Sequence, residues 1–264
     1  MMSRTLHLSD GATVRVIEAG AGAPLLLIHG VGMRAEAWGP QIADLSRRAR
    51  VIAVDMPGHG GSDGLPCAPR LPDYVNWAAR VVSALELGPV AVAGHSMGAL
   101  IATGLAIDHP ALVSRTALLN GVHRRSAEAR AAVEARAAEI AAGQAGIEAP
   151  LARWFSPEDG AVRETVAGWL RTVPQAGYAA AYRAFAEGDG VYAGRLGEIA
   201  GPFLVLTGEN DLNSTPDMAR AMAGMAPQGR AVVIAGHRHM VNLTAPDAVT
   251  QALSAWLDSE RIRA

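Results

Sequence analysis

The sequence predicts an α/β fold in which a mostly parallel sheet carries helices on both faces and an all-helical segment interrupts the strands. Three observations lead there. Short apolar runs bounded by Gly, Pro or Asp alternate with stretches of helical spacing, a glycine-flanked serine follows one of those runs, and residues 123–200 show helical patterns only.

The apolar runs lie at 14–17, 25–28, 51–54, 90–93, 117–119, 203–206 and 231–234 and are mostly β-branched or Leu-rich, as buried strands are. Helical spacing follows at 74–87, 97–109 and 216–225. The last is opened by Ser214-Thr215-Pro216-Asp217, a cap with proline in the first turn. From 123 to about 200 three amphipathic helical segments are expected, at 127–142, 161–173 and 177–187. This divides the chain into a core, residues 1–122 and 201–264, and a helical cap, residues 123–200. Residues 87–107 carry no charged side chain and approach the ~20 residues that cross a bilayer. Pro89, Gly94, His95, Ser96, Gly98 and Gly104 interrupt them, so they are read as strand, turn and helix.

Composition narrows the function. At 264 residues, 50% hydrophobic and 18% charged, the chain is too apolar to be disordered. All 23 basic residues are Arg, and the absence of Lys excludes a Lys Schiff base, a covalent pyridoxal site and a Walker-type phosphate loop. A net charge of −2 without a basic run gives no footprint for nucleic acid or anionic lipid. Cys67, the single cysteine, makes neither an internal disulfide nor a thiolate cage and is read as an ordinary loop residue. The first ten residues show no signal peptide, and a cytoplasmic protein is expected. The expected partner is a small-molecule substrate, with no nucleic acid and no membrane, and a homo-oligomer is left open.

Gly94-His95-Ser96-Met97-Gly98 is a G-x-S-x-G turn with a strand before it and a helix after it, the context in which the motif presents a nucleophilic serine. The Met97 backbone N–H opens that helix and is placed to hold an oxyanion. A second strand ends in His29-Gly30-Val31-Gly32, whose Val31 N–H is the candidate second donor. Gly30-Val31-Gly32-Met33-Arg34-Ala35, with Asp55 ending the next strand, also fits a dinucleotide fingerprint. Trp38-Gly39-Pro40 breaks the helix which that site needs. His29 and His59 are expected to shape loops. After the strand at 203–206 come Glu209 and Asp211, of which Asp211 is the favoured acid; after the strand at 231–234 come His237 and His239, two candidate bases.

Together these residues resemble the α/β-hydrolase superfamily over essentially the whole chain. The segments that carry the resemblance are His29-Gly30-Val31-Gly32 with Trp38, Asp55-Met56-Pro57-Gly58-His59-Gly60-Gly61-Ser62, the Ser96 turn, Gly208-Glu209-Asn210-Asp211 and the histidine segment. The helical insert, with Ala152-Arg153-Trp154-Phe155, Gly177-Tyr178-Ala179-Ala180 and Arg183-Ala184-Phe185, is similar to that of the 3-oxoadipate enol-lactone hydrolases. In that family the catalytic histidine lies seven residues before a proline, which implies His239, seven before Pro246. Two positions depart from the pattern. Thr244 stands where the family has Glu, and Val133 stands in the Trp position before Arg136.

The resemblance implies a serine hydrolase that cleaves an ester or lactone of a small organic metabolite through an acyl-enzyme, with Ser96, His239 and Asp211 as triad and Val31 and Met97 as oxyanion donors. No metal or organic cofactor is implied. Two alternatives are carried: a carbon–carbon bond hydrolase acting on a vinylogous diketone, and a ligand-binding homologue without catalysis. Trp154, Phe155, Trp169, Tyr178, Tyr182 and Phe185 make the cap apolar, for substrate or simply as its own core.

Overall fold

A computed structural model describes residues 1–260. Eight strands form one sheet in the order β1-β2-β4-β3-β5-β6-β7-β8. They are β1 (Met2–His7), β2 (Thr13–Ala19), β3 (Pro24–Ile28), β4 (Arg50–Val54), β5 (Val90–His95), β6 (Val113–Leu119), β7 (Phe203–Gly208) and β8 (Gly229–Ile234). From β4 to β8 across the sheet all pairs are parallel; β1 with β2 and β2 with β4 are antiparallel. All seven sequence-read strands are present. The eighth, β1, escapes the pattern because it is an edge strand with one buried side chain, Leu6.

Ten α-helices accompany the sheet among the described residues: α1 (Gly39–Leu45), α2 (Leu71–Ala84), α3 (Met97–Asp108), α4 (Ala127–Ala141), α5 (Glu148–Trp154), α6 (Gly160–Thr172), α7 (Gln175–Gly188), α8 (Pro216–Met225), α9 (Val241–Thr244) and α10 (Pro246–Asp258). Side-chain alternation along the strands splits the core in two. Leu25 and Leu27 of β3 join Ile42 of α1 and Leu253 of α10 on one face, while Leu26 and Ile28 join residues of α2, α3 and α8 on the other. The uncharged stretch resolves as β5, the turn and α3, whose residues are buried all round except at its last position. That is the pattern of a core helix. No helix among the described residues is long and apolar enough to cross a membrane.

Between β6 and β7 the described chain holds four α-helices and no strand. Three answer to the expected segments. The fourth, α5, has only seven residues, too few for a periodic signal, and Pro150 sits in its first turn where its missing N–H costs nothing.

Candidate active site

β5 ends at the centre of the sheet, and the chain turns there into α3 through Ser96 at φ 55°, ψ −113°. A non-glycine residue at positive φ costs of order 1–3 kcal/mol and persists only where its surroundings impose it. Crowding imposes it here: a Cβ on Gly94 would stand 2.0 Å from the Gly98 carbonyl oxygen, and one on Gly98 would stand 2.1 Å from that of Ile28. Only glycine lets β5, α3 and the end of β3 approach so closely. The turn after β3 lies against the serine, since a Cβ on Gly30 would be 3.0 Å from Ser96 Cβ. Neither the Val31 nor the Met97 N–H donates a backbone hydrogen bond among the described residues.

The two later loops meet beside this turn. His239 Nδ1 donates to Asp211 Oδ2 at 2.8 Å, and both side chains are almost fully buried. Asp211 Oδ2 also accepts from Asn120 Nδ2 at 2.8 Å, and Oδ1 accepts the backbone N–H groups of Asn213 and Ser214 at 2.8 and 3.2 Å. Burial alone pushes this carboxyl up. The facing His239 and the donors from His239, Asn120 and Asn213 outweigh it and hold the acid below its ordinary range. Neither rival residue shares this arrangement. His237 Nδ1 donates to Thr244 Oγ1 at 3.0 Å, and the exposed Glu209 accepts the Gly236 N–H. Thr244, the departure from the enol-lactonase pattern, is thus the partner of His237, the histidine that does not bond the acid.

Ser96, His239, Gly30 and Val31 line one cavity of about 310 Å³. Asp211 lies behind the imidazole, and Met97 is fully buried, so it can contribute only its backbone N–H. The far wall comes from the helical insert: residues 129, 132, 133 and 136 fall on one face of α4, joined by Trp154, Tyr182 and Phe185. Trp154 stacks on His239 with ring centroids 5.8 Å apart. Phe155 and Tyr178 are buried, and Trp169 packs half-buried on the core, without lining the cavity.

A model of the alpha/beta hydrolase family matches residues 25–252, which run from β3 into α10 and contain Ser96, Asp211 and His239. The chain belongs to that family. It is 51% identical over 261 residues, 98% of this chain and 99% of the other, to the (E)-2-((N-methylformamido)methylene)succinate hydrolase of Acinetobacter baylyi. It is 29% identical to the 2-(acetamidomethylene)succinate hydrolase of Mesorhizobium japonicum, over 94% of this chain and 92% of that one. The crystal structure of the enol-lactonase from Burkholderia xenovorans superposes with a TM-score of 0.87 at 24% identity, covering 97% and 100% of the two chains. That last likeness speaks for the fold.

Within this hydrolase the other sequence-read residues have structural roles. His29 Nδ1 donates to the Gly30 carbonyl while Nε2 accepts from Met56 N–H, and His59 likewise donates to Pro57 and accepts from Gly32. Burial lowers both, His59 to about 3, so both stay neutral loop pins. Asp55 binds Arg15 and the backbone N–H groups of Ala35 and Gly61, leaving no carboxylate for a ribose. Cys67 is an exposed loop residue at φ 54°. Three residues about the site were given no role by the sequence. Asn120 follows β6 at φ 50° and steadies Asp211. His95 Nε2 donates to the His239 carbonyl at 2.8 Å, and Arg238 Nη1 donates to the carbonyls of Ala152 and Phe155 at 2.8 and 2.7 Å, tying the histidine loop to α5. A residue of αL tendency just past a strand, as Asn120 is, was the one available signal.

Proposed function

We propose that this hydrolase cleaves the acyl carbon–nitrogen bond of an N-acylaminomethylene dicarboxylate, with residues 123–200 acting as the cap that selects it. The observation that carries the substrate class is the 51% identity, over 98% of the chain, to a protein named for such a compound. The cavity supports it. Arg125, Arg136 and Arg153 line it, and no Asp or Glu does, which suits a ligand with two carboxylates. The ester or lactone expectation has weaker support, from structures that attest the fold. The relatives are instead named as hydrolases of N-acylaminomethylene succinates, compounds whose amide nitrogen is bonded to a carbon–carbon double bond, nearer to the alternative expectation of a vinylogous substrate, with nitrogen in place of the leaving carbon.

Conjugation explains why a serine suffices. The nitrogen lone pair is drawn into the ene-carboxylate, so the acyl carbonyl is more electrophilic than in a plain amide. In this reading Ser96 Oγ attacks that carbon while His239 Nε2 takes the hydroxyl proton, and Asp211 fixes the imidazole through Nδ1. The Val31 and Met97 N–H groups hold the oxyanion, each donor worth about 2.7–4 kcal/mol in comparable sites. As the carbon–nitrogen bond breaks, His239 returns the proton to nitrogen. Water then attacks the acyl-serine with His239 again as base, releasing a carboxylic acid and the free serine.

The test is a substrate panel with products identified by NMR: 2-((N-methylformamido)methylene)succinate, 2-(acetamidomethylene)succinate, p-nitrophenyl acetate, a γ-lactone and a vinylogous diketone. The expected result is release of the N-acyl group as its carboxylic acid from an N-acyl dicarboxylate, at a kcat/KM roughly a hundredfold or more above the others. A preference for the ester or lactone, or carbon–carbon cleavage of the diketone, refutes the proposal.

A further inference from the structure

The cavity wall contains one buried cation with an unused arm. Arg125 lies between β6 and α4, its side chain only 4% exposed. Its Nη1 is fully engaged, facing Asp189 Oδ1 at 3.2 Å and donating to the carbonyls of Phe185 and Ala186 at 3.2 and 3.3 Å. The guanidinium lies 4.3 Å over the Phe185 ring, and the Arg125 backbone N–H donates to Asp189 Oδ2 at 2.7 Å. Position and plane are therefore fixed. Yet Nη2 is buried and has no hydrogen-bond partner, although Arg125 lines the cavity. A buried charged donor left unmade is among the costlier features of a folded protein, and each one calls for a specific explanation.

Charge points the same way. Asp189 is shared by Arg125 and Arg130, so two guanidiniums meet one carboxylate and a positive charge is left over at a wall that offers no Asp or Glu. The other two arginines of the wall are differently placed. Arg136 is held by Glu139 and the Gly146 carbonyl, and Arg153 is exposed and bonded to Asn213.

We infer that Arg125 is the inner carboxylate anchor of this cavity, its Nη2 donating to one carboxylate of a dicarboxylate ligand while Arg136 and Arg153 receive the other nearer the surface. This rests on the dicarboxylate reading above and sharpens it. A pre-positioned, desolvated guanidinium loses little freedom on binding, so it sets specificity more than a surface arginine does.

Isothermal titration with 2-methylenesuccinate and its two monomethyl esters tests the anchor without requiring turnover. Two proteins are compared with wild type: Arg125→Lys, which keeps the cation beside Asp189 but lacks Nη2, and Arg125→Gln with Asp189→Asn, which removes both buried charges together. Wild type is expected to bind the diacid roughly tenfold or more tighter than one of the monoesters. Both variants are expected to lose that discrimination while binding that monoester as wild type does. Unchanged affinity in Arg125→Lys, an equal loss for diacid and monoesters, or no diacid binding by wild type overturns the assignment. The two readings fail separately. Diacid binding through Arg125 without hydrolysis of any N-acylaminomethylene succinate sinks the function and leaves the anchor, whereas such hydrolysis with an unchanged KM in Arg125→Lys sinks the anchor alone.

Discussion

Asp211 receives four donors, and the one imidazole among them belongs to His239 rather than His237, which makes His239 the base in the proposed mechanism. An imidazole that donates through Nδ1 to a fixed carboxylate keeps Nε2 free as acceptor, the tautomer a general base needs. His239→Ala is therefore expected to lower kcat by about 10⁴-fold or more. His237→Ala, which loses only its bond to Thr244, should stay within about tenfold of wild type, because a part-exposed hydrogen bond is worth about 1 kcal/mol. Steady-state kinetics on the two variants decides this, and the opposite ranking removes His239 from the mechanism. Ser96 and Asp211 were legible in the sequence because each follows a strand in a loop of recognisable composition. Sequence position alone left two histidines open, and the spacing to Pro246 chose the one that faces Asp211. Asn120, His95 and Arg238 were not legible: their bonds run across strands or to backbone carbonyls, and a carbonyl acceptor leaves no mark in a sequence.

The parallel strands and the turn between β5 and α3 explain why the site forms at the sheet's carboxyl edge. Gly98→Ala would force its Cβ into the Ile28 carbonyl, and an overpacking cost of about 1–3 kcal/mol is expected. Chemical denaturation measures it, and an unchanged midpoint contradicts the close approach. The same elements carry buried neutral histidines. Burial lowers His59 and His95 to about 3, with a neighbouring imidazole adding to the effect in each. A histidine whose folded pKa is lowered takes up its proton in the unfolded chain first, so stability falls as pH drops below ~6.5 and continues to fall until about pH 3. From pH 7.5 to 5.5 each contributes a loss of about 1.4 kcal/mol, near 3 kcal/mol together. Denaturation at the two pH values checks this, and equal stability at both refutes neutral burial. At this scale the buried strands were the legible part, since each is a continuous apolar run between breakers. β1 and α5 were hidden for opposite reasons, β1 because an edge strand stays polar and α5 because two turns carry no period.

In the whole molecule the insert between β6 and β7 meets the Asp211 and His239 loops at defined points. Arg238 ties the histidine loop to α5, Trp154 stacks on His239, and Arg153 reaches Asn213 beside Asp211. The cavity is thus closed by the segment that also touches His239. The sequence told of an insert and its apolar residues but not of its substrate. The three cavity arginines come from 125, 136 and 153, separate stretches that only folding assembles, so the sequence showed the apolar residues of the insert and not the cationic wall. The proposed chemistry requires Ser96 to carry the acyl group. Rapid-quench intact-mass analysis of the enzyme mixed with 2-((N-methylformamido)methylene)succinate, followed by peptide mapping, measures this directly. The expected result is a transient gain of one formyl group on the peptide containing Ser96, absent in Ser96→Ala, which also ceases to turn over. Formylation at another residue, or turnover that survives in Ser96→Ala, would contradict it.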